Sequence, residues 1–160
     1  MWFSVSMTDR PPRPGEEHGR DYFFVTREEF ERLRDDDGLL EWFEVYGDLK
    51  GTPRAPVEQH LVAGEDVVLE VDVQGALAVK ATFPDAHMVF IRPPSRDVQR
   101  RRLLDRDPGA DPAALEERLR QADAEEARIG EFDAVVVNDD VDRAVAEIRE
   151  LLAGWRARHR

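Results

Sequence analysis

The chain has 160 residues, with 35 acidic and 23 basic side chains that give a formal net charge of -12. This length corresponds to one ordinary domain, and the acidic balance argues against a nucleic-acid partner, which would need clustered Lys and Arg. Cysteine is absent, which excludes disulfides and thiolate chemistry and favours a cytoplasmic location. No apolar run reaches the roughly 18 residues of a membrane span, so no membrane partner is expected.

The first 60 residues predict a small mixed unit of short strands and helices. Thr26 and Glu29 have the spacing of a capping box, in which each side chain bonds the backbone amide of the other residue and a helix begins. The predicted elements in chain order are a strand at 2–6, a loop at 7–20, a strand at 22–25, a helix to about 34, an extended segment at 39–46 and a helix from Thr52-Pro53 to about 62.

Three continuous apolar runs dominate the rest of the chain, at residues 67–71, 88–91 and 134–137. Continuous apolarity favours strands that are covered on both faces, as in a parallel sheet. Helical periodicity occupies the intervals and the tail, at 73–82, 96–105, 112–129 and 140–153. The alternation predicts an α/β fold with right-handed crossovers.

A proline-rich loop carries the first candidate site. Arg10 and Arg13 lie three residues apart in the segment Arg-Pro-Pro-Arg-Pro-Gly, and two guanidinium groups on a stiffened chain suit a phosphate. The alternative is a solvated polyproline turn, or a ligand for an SH3-type domain. The segment alone leaves both interpretations open.

Two carboxylates follow the first apolar run. Glu70 and Asp72 have the spacing that projects them from one face of a strand. Ligands of open α/β sheets bind beyond the carboxyl ends of strands, so this pair is expected to face a cation, a base edge or an arginine. A buried ion pair with a nearby arginine is the structural alternative.

Arginines cluster in the third quarter of the chain, on two predicted helices around residues 105–109. Most such charge runs are solvated helix faces, although Pro108 and Gly109 would also permit a hinged lid that neutralises a transferring phosphoryl group. The four histidines show no metal spacing, so no protein-only metal site is expected. The clustered arginines are Arg100, Arg101, Arg102, Arg106 and Arg118.

Several short segments stand in a characteristic order along nearly the whole chain. These segments are Phe3-Ser4-Val5-Ser6, Thr8, the run from Arg10 to Glu16, Gly19, the run from Asp21 to Val25, Glu41-Trp42, Gly51-Thr52-Pro53, the run from Asp72 to Ala76, Pro93-Pro94-Ser95 and the run from Val137 to Asp140. In order and spacing they resemble the guanylate kinase family.

The resemblance implies a P-loop-kinase-like parallel sheet with helices on both faces, in a single domain that spans residues 1–160. About 7–65 would form a small mixed GMP-binding insert, 66–95 with 130–160 the core, and 96–129 a helical lid. The implied activity is phosphorylation of GMP to GDP in purine metabolism, with ATP as donor and Mg2+ as cofactor. The oligomeric state stays open.

The resemblance also implies the roles of individual residues. A carboxylate such as Glu41 can accept hydrogen bonds from both N1 and N2 of guanine, whereas adenine offers an acceptor at N1, and mismatches of this kind discriminate strongly. The implied guanine-pocket residues are Ser6, Glu41, Thr52 and Asp72. The implied GMP-phosphate residues are Arg10, Arg13, Tyr22 and Lys50. The implied lid arginines around the phosphates are Arg102, Arg106 and Arg118, with Glu70 near the magnesium-bound phosphates and Asn138 near the adenine of ATP.

The chain also departs from the family pattern. Guanylate kinases open with a strand, a Gly-x-x-x-x-Gly-Lys-Ser/Thr loop and a helix around the donor phosphates, and these segments are expected to be missing here, so that the chain alone would be weak or inactive. Asp9 replaces a Thr beside the phosphate loop, where it is expected to add repulsion. Lys50 replaces a phosphate-binding Tyr, and the lid motif Gly-Arg-Gly reads Asp105-Arg106-Asp107.

Three hypotheses fit these departures. The sequence is a truncated guanylate kinase, because Met1 falls in the middle of a predicted strand. Alternatively, the chain is a non-catalytic GMP-binding or protein-interaction module with a guanylate-kinase-like fold. A third alternative is a decaying fragment that does not fold stably alone.

Overall fold

The computed structural model describes residues 1–45, 47–106, 109 and 111–158, without the side chain of residue 45. The described chain divides into two compact units, Met1–Ala86 and His87–Arg160. The first unit contains β1 (Trp2–Phe3), β2 (Met7–Thr8), β3 (Phe23–Phe24), α1 (Arg27–Asp35), β4 (Leu39–Val45), β5 (Asp48–Pro53), α2 (Arg54–Val62), β6 (Val67–Val68) and α3 (Val73–Thr82). The second contains β7 (Val89–Arg92), α4 (Arg96–Arg106), α5 (Pro112–Glu126), a 3-10 turn (Ile129–Glu131), β8 (Ala134–Val137) and α6 (Val141–Arg158).

A four-stranded mixed sheet in the order β3-β2-β5-β4 forms the centre of the first unit. β2 is parallel to β3 and antiparallel to β5, and β4 is antiparallel to β5. Phe30 of α1 packs with Leu39 and Leu49 in a buried cluster, against which Met7 and Val25 lie. α1 begins at the predicted capping box, in which Thr26 accepts from the amide of Glu29 while the Glu29 carboxylate accepts from the amide of Thr26.

The sequence predicted most of these elements, but it missed two strands of the mixed sheet. Residues 7–20 were expected to be a loop throughout, but Met7–Thr8 forms β2, and no strand was predicted at β5. β5 has little apolar patterning, so its strand conformation depends on pairing with β2 and β4 on either side. Gly51 permits that pairing because a Cβ there would lie 2.7 Å from the carbonyl oxygen of Glu41.

Two short parallel pairs supply the α/β character. β1 pairs with β6 in the first unit, and β7 pairs with β8 in the second. The chain passes from β7 to β8 through α4 and α5, which is the helical crossover expected between parallel strands. Ile91, Val135 and Val137 stay exposed, so the prediction that these strands are covered on both faces is wrong at those three side chains.

Candidate functional site

The guanidinium group of Arg10 is buried and held in place by its neighbours. Its side chain is 8% exposed and makes two hydrogen bonds of 2.7 Å to the two carboxylate oxygens of Glu16. Its Nη1 also donates to the carbonyl of Pro11, and its guanidinium carbon lies 5.0 Å from the centre of the Tyr22 ring. The Glu16 carboxylate raises the pKa of Arg10, so the group stays fully charged and fixed in orientation.

Glu16 organises the loop around this arginine. Its Oε2 accepts hydrogen bonds from Nη1 of Arg10 and from the backbone amide of Arg13, the latter at 2.7 Å. These bonds lower the pKa of Glu16 to about 2. One carboxylate therefore fixes both implied phosphate-binding arginines, Arg10 through its side chain and Arg13 through its backbone.

The other implied phosphate residues lie around the same loop. Arg13 has an exposed side chain, and Tyr22 and Lys50 are half-buried. The Lys50 ammonium lies 5.9 Å from the centre of the Tyr22 ring, on a strand whose register places Lys50 opposite Thr8. Arg10, Tyr22 and Lys50 thus form a cationic corner beside the exposed guanidinium of Arg13.

The carboxylate of Asp9 has direct partners of its own beside this corner. Its Oδ1 accepts a 2.6 Å hydrogen bond from the amide of Leu49, and its Oδ2 lies 3.1 Å from Nη1 of Arg27. The expected repulsion is therefore offset by a direct cationic partner. Asp9 ties β2 to β5 immediately beside Lys50.

Glu41 and Thr52 form a buried pair where β4 faces β5. The register places the two residues opposite each other, and the Thr52 hydroxyl donates a 2.5 Å hydrogen bond to Oε1 of Glu41. Glu41 is 5% exposed and Thr52 is fully buried. Among the described residues, Oε2 of Glu41 has no hydrogen-bond partner. Burial raises the pKa of Glu41, and the nearby charge of Asp72 adds to the increase.

Asp72 begins α3 rather than ending a strand. β6 ends at Val68, and the Asp72 carboxylate accepts a 2.8 Å hydrogen bond from the amide of Gly75 as the helix N-cap. Glu70 is exposed. The prediction that Glu70 and Asp72 lie on a strand is therefore wrong, because the paired strand β6 ends at Val68, before either residue. α3 lies against β4 and brings Asp72 towards Glu41.

Ser6 lies between β1 and β2 with a half-buried side chain, and its carbonyl accepts from the amide of Phe23 at 2.8 Å. The first unit thus holds all the implied guanine-pocket and GMP-phosphate residues. Glu16 was missed as a site residue, although its spacing of six from Arg10 and three from Arg13 was a usable signal. Thr8, fully buried, was also missed; its hydroxyl donates to the Leu49 carbonyl and accepts from the amide of Arg10.

The implied lid arginines lie in the second unit. Arg102 and Arg106 are exposed on α4, and Arg118 is half-buried on α5. Arg100 joins the two helices through a 2.6 Å contact with Glu116. Residues 107 and 108 of the predicted hinge segment lie outside the described residues.

Asn138 follows β8, as the sequence predicted. Its amide donates to the carbonyl of Arg92 at 2.8 Å, which fixes its backbone to β7. Its side-chain Oδ1 is buried and has no hydrogen-bond partner among the described residues.

Clustered metal ligands and membrane-spanning helices are both absent from the part of the chain that the structure describes. No three His, Cys, Asp or Glu side chains in it are grouped so as to bind a metal ion. None of its helices combines the length and the apolarity that crossing a membrane requires.

Comparison with known proteins identifies the class. The family model described as guanylate kinase matches residues 1–154. The chain is 49% identical over 158 residues to the guanylate kinase of Thermus thermophilus, covering 99% of this chain and 71% of that protein. It is 47% identical to the guanylate kinase of Parasynechococcus marenigrum over 95% of this chain and 83% of the relative.

A solved structure agrees with these matches. The crystal structure of guanylate kinase from Anaplasma phagocytophilum superposes with a TM-score of 0.82 at 34% identity, over 95% of this chain and 74% of that one. The mixed α/β fold and these matches define the chain as a nucleoside monophosphate kinase. The chain belongs to the guanylate kinase family, whose activity is the ATP-dependent phosphorylation of GMP.

Proposed function

We propose that Glu41 reads the guanine base of GMP, and that this reading selects the acceptor nucleotide. The supporting observation is its carboxylate, which is 5% exposed and has one oxygen bonded to Thr52 and the other without a partner among the described residues. A buried carboxylate lacking a partner is costly. The N1 and N2 hydrogens of guanine would supply the missing bond, whereas adenine presents an acceptor at N1.

Thr52, Ser6 and Asp72 complete the proposed guanine pocket. Thr52 holds Oε1 of Glu41 and so orients the carboxylate plane. Asp72, fixed as the cap of α3, presents a second acceptor on the same side. Ser6 would supply a hydroxyl at the edge of β2.

The proposed phosphate site consists of Arg10, Arg13, Tyr22 and Lys50. Arg10 is held by Glu16, so binding a phosphate requires little further ordering of its side chain, and preorganised charges of this kind bind and stabilise anions most effectively. Lys50 supplies a point charge where a Tyr would supply a hydroxyl, which preserves attraction with less directional control.

The proposed donor-nucleotide residues of the second unit are three arginines and Asn138. Arg102, Arg106 and Arg118 would neutralise the transferring phosphoryl group, which bears charge on three oxygens in the transition state. The Oδ1 acceptor of Asn138 would bond the amino group of adenine.

Glu70, in the first unit, is proposed to lie near the magnesium-bound phosphates. Mg2+ is bound by nucleotide phosphates with one or two carboxylates, and the exposed carboxylate of Glu70 offers oxygen of the right kind. When bound, the ion would neutralise phosphate charge.

We also propose the single-domain division into GMP-binding region, core and lid, and a cytoplasmic location.

The experiment is calorimetric titration of the chain and two variants with GMP and AMP. Glu41→Gln should reduce the preference for GMP over AMP, because the amide nitrogen meets a guanine N–H. Arg13→Ala should weaken GMP and AMP binding alike, because it removes a contact to the shared phosphate. If both variants keep the parent's affinity and preference, the proposal is wrong.

A further inference from the structure

Gly75 is a buried glycine in the first turn of α3. Glycine weakens a helix relative to alanine because it loses more backbone freedom on folding. Four glycines have a positive φ and lie in the left-handed region: Gly15, Gly19, Gly47 and Gly64. Gly75 is not one of them. Backbone conformation therefore does not explain why this position is a glycine, so the explanation must lie in the atoms around it.

Those surroundings are the two acids of the proposed guanine pocket. A Cβ on Gly75 would lie 3.1 Å from Oε2 of Glu41 and 3.4 Å from Oδ1 of Asp72. It would also lie 3.1 Å from Cβ of Val71. The amide of Gly75 already donates to Oδ1 of Asp72, so this residue is bonded to one of the two carboxylates and lies near the other.

Glu41 has little freedom to move away from an added methyl group. Its backbone is paired in β4, its Oε1 is bonded to the fully buried Thr52, and its side chain is 5% exposed. A contact of 3.1 Å would have to be relieved by rotation of the carboxylate or by a shift of α3. Either movement changes the direction of Oε2, the oxygen without a partner among the described residues.

We propose that Gly75 is a specificity-determining position of the guanine pocket: the absence of its Cβ lets Oε2 of Glu41 face the N2 amino group of guanine. The inference rests on the proposed role of Glu41 in reading guanine. Gly75 acts through Glu41 and is a positioning residue rather than a catalytic one.

The test is calorimetric titration of the full chain with GMP and with IMP, whose base lacks the N2 amino group. Gly75→Ala should weaken GMP binding by about tenfold or more, since misplacing a positioned group by about 1 Å can cost on the order of 100-fold. It should weaken IMP binding less, so that the preference for GMP over IMP shrinks. The matched control is Gly154→Ala in α6, where an added Cβ has no neighbour within 4 Å; its GMP binding should equal that of the parent.

A double-mutant cycle separates the contact from a general effect on folding. Glu41→Asp shortens the acid and withdraws its oxygens from Gly75, so Gly75→Ala should have a smaller effect on GMP binding in that background than in the parent. If Gly75→Ala fails to fold in the parent but folds and binds GMP in the Glu41→Asp background, the proposal is supported. If it fails to fold in both, the proposal is overturned.

The outcomes distinguish this inference from the proposed function. If Glu41→Gln reduces the preference for GMP while Gly75→Ala binds GMP and IMP as the parent does, Glu41 reads guanine and the inference about Gly75 is wrong. Equal effects of Gly75→Ala in both backgrounds also overturn it. If Glu41→Gln leaves the preference unchanged, the proposed function itself fails and the inference fails with it.

Discussion

Replacing Glu41 with glutamine should stabilise the nucleotide-free chain while it damages GMP recognition. The Glu41 carboxylate is 5% exposed, has one bonded oxygen and lies near the charge of Asp72. A neutral amide of the same shape removes the cost of burying that charge. Residues held ready for a ligand commonly lower the stability of the free protein in this way.

The magnitude follows from the environment of Oε2. A buried polar atom without a partner costs about 1–3 kcal/mol, and the glutamine nitrogen would itself need a partner, so the gain should lie near the lower end. About 1 kcal/mol corresponds to a rise in Tm of about 2–4 °C for a chain of this size.

The gain should depend on pH with a definite sign. Burial raises the pKa of Glu41 above its ordinary value of 4.5, so the folded state binds this proton more tightly than the unfolded state. The parent therefore loses stability as the pH rises from about 4.5 through the folded pKa, and glutamine does not. The difference in Tm between variant and parent should be small below about pH 4.5, should grow as the pH rises, and should be complete above the folded pKa.

The assay is thermal unfolding followed by circular dichroism across this pH range, with Glu147→Gln as the control. Glu147 is an exposed residue of α6, so its replacement should leave the pH profile unchanged. A Glu41→Gln variant that is less stable than the parent at neutral pH would refute the reasoning, as would a difference that does not change with pH.

Four further outcomes are expected. Glu16→Gln should lower GMP affinity and thermal stability at neutral pH. The pKa of Glu16 is about 2 in the folded chain against an ordinary 4.5, so the difference in Tm should persist down to about pH 4.5 and shrink towards pH 2. Thr52→Val should cost about 1–3 kcal/mol in urea unfolding, because it removes the donor to a buried carboxylate, and an unchanged midpoint would contradict the bond to Glu41. Asp72→Ala should cost about 1 kcal/mol as a lost N-cap, whereas Asp72→Ser should restore most of it; equal losses would exclude capping. Asn138→Leu should weaken ATP binding, measured by calorimetry, and leave GMP affinity unchanged. Weaker GMP binding with unchanged ATP binding would contradict the proposed place of Asn138 near the adenine of ATP.

Local signals predicted the helices well and the mixed sheet poorly. The capping box of Thr26 and Glu29 can be recognised from sequence because both partners lie within one turn. β5 contains Gly51 and Pro53 and little apolar alternation, so its strand conformation arises from its two neighbours. α6 runs on to Arg158 beyond the predicted end at 153, and α5 ends at Glu126 before the predicted end at 129.

The sequence named candidate site residues but could not give their contacts. Glu41 and Thr52 were named through the family resemblance, but their hydrogen bond depends on the register between β4 and β5, which periodicity does not give. Asp72 was assigned to a strand because the apolar run continues to Val71, and only the structure shows it as a helix cap. The proximity of Gly75 to Glu41 brings together elements far apart in sequence, so no local pattern could predict it.

The most direct measurement of the central claim is a crystal structure of the chain with bound GMP. The account predicts guanine N1 or N2 within about 3.2 Å of Oε2 of Glu41 and the phosphate against the guanidinium groups of Arg10 and Arg13. A base that lies away from Glu41, or a phosphate bound by neither arginine, would contradict it.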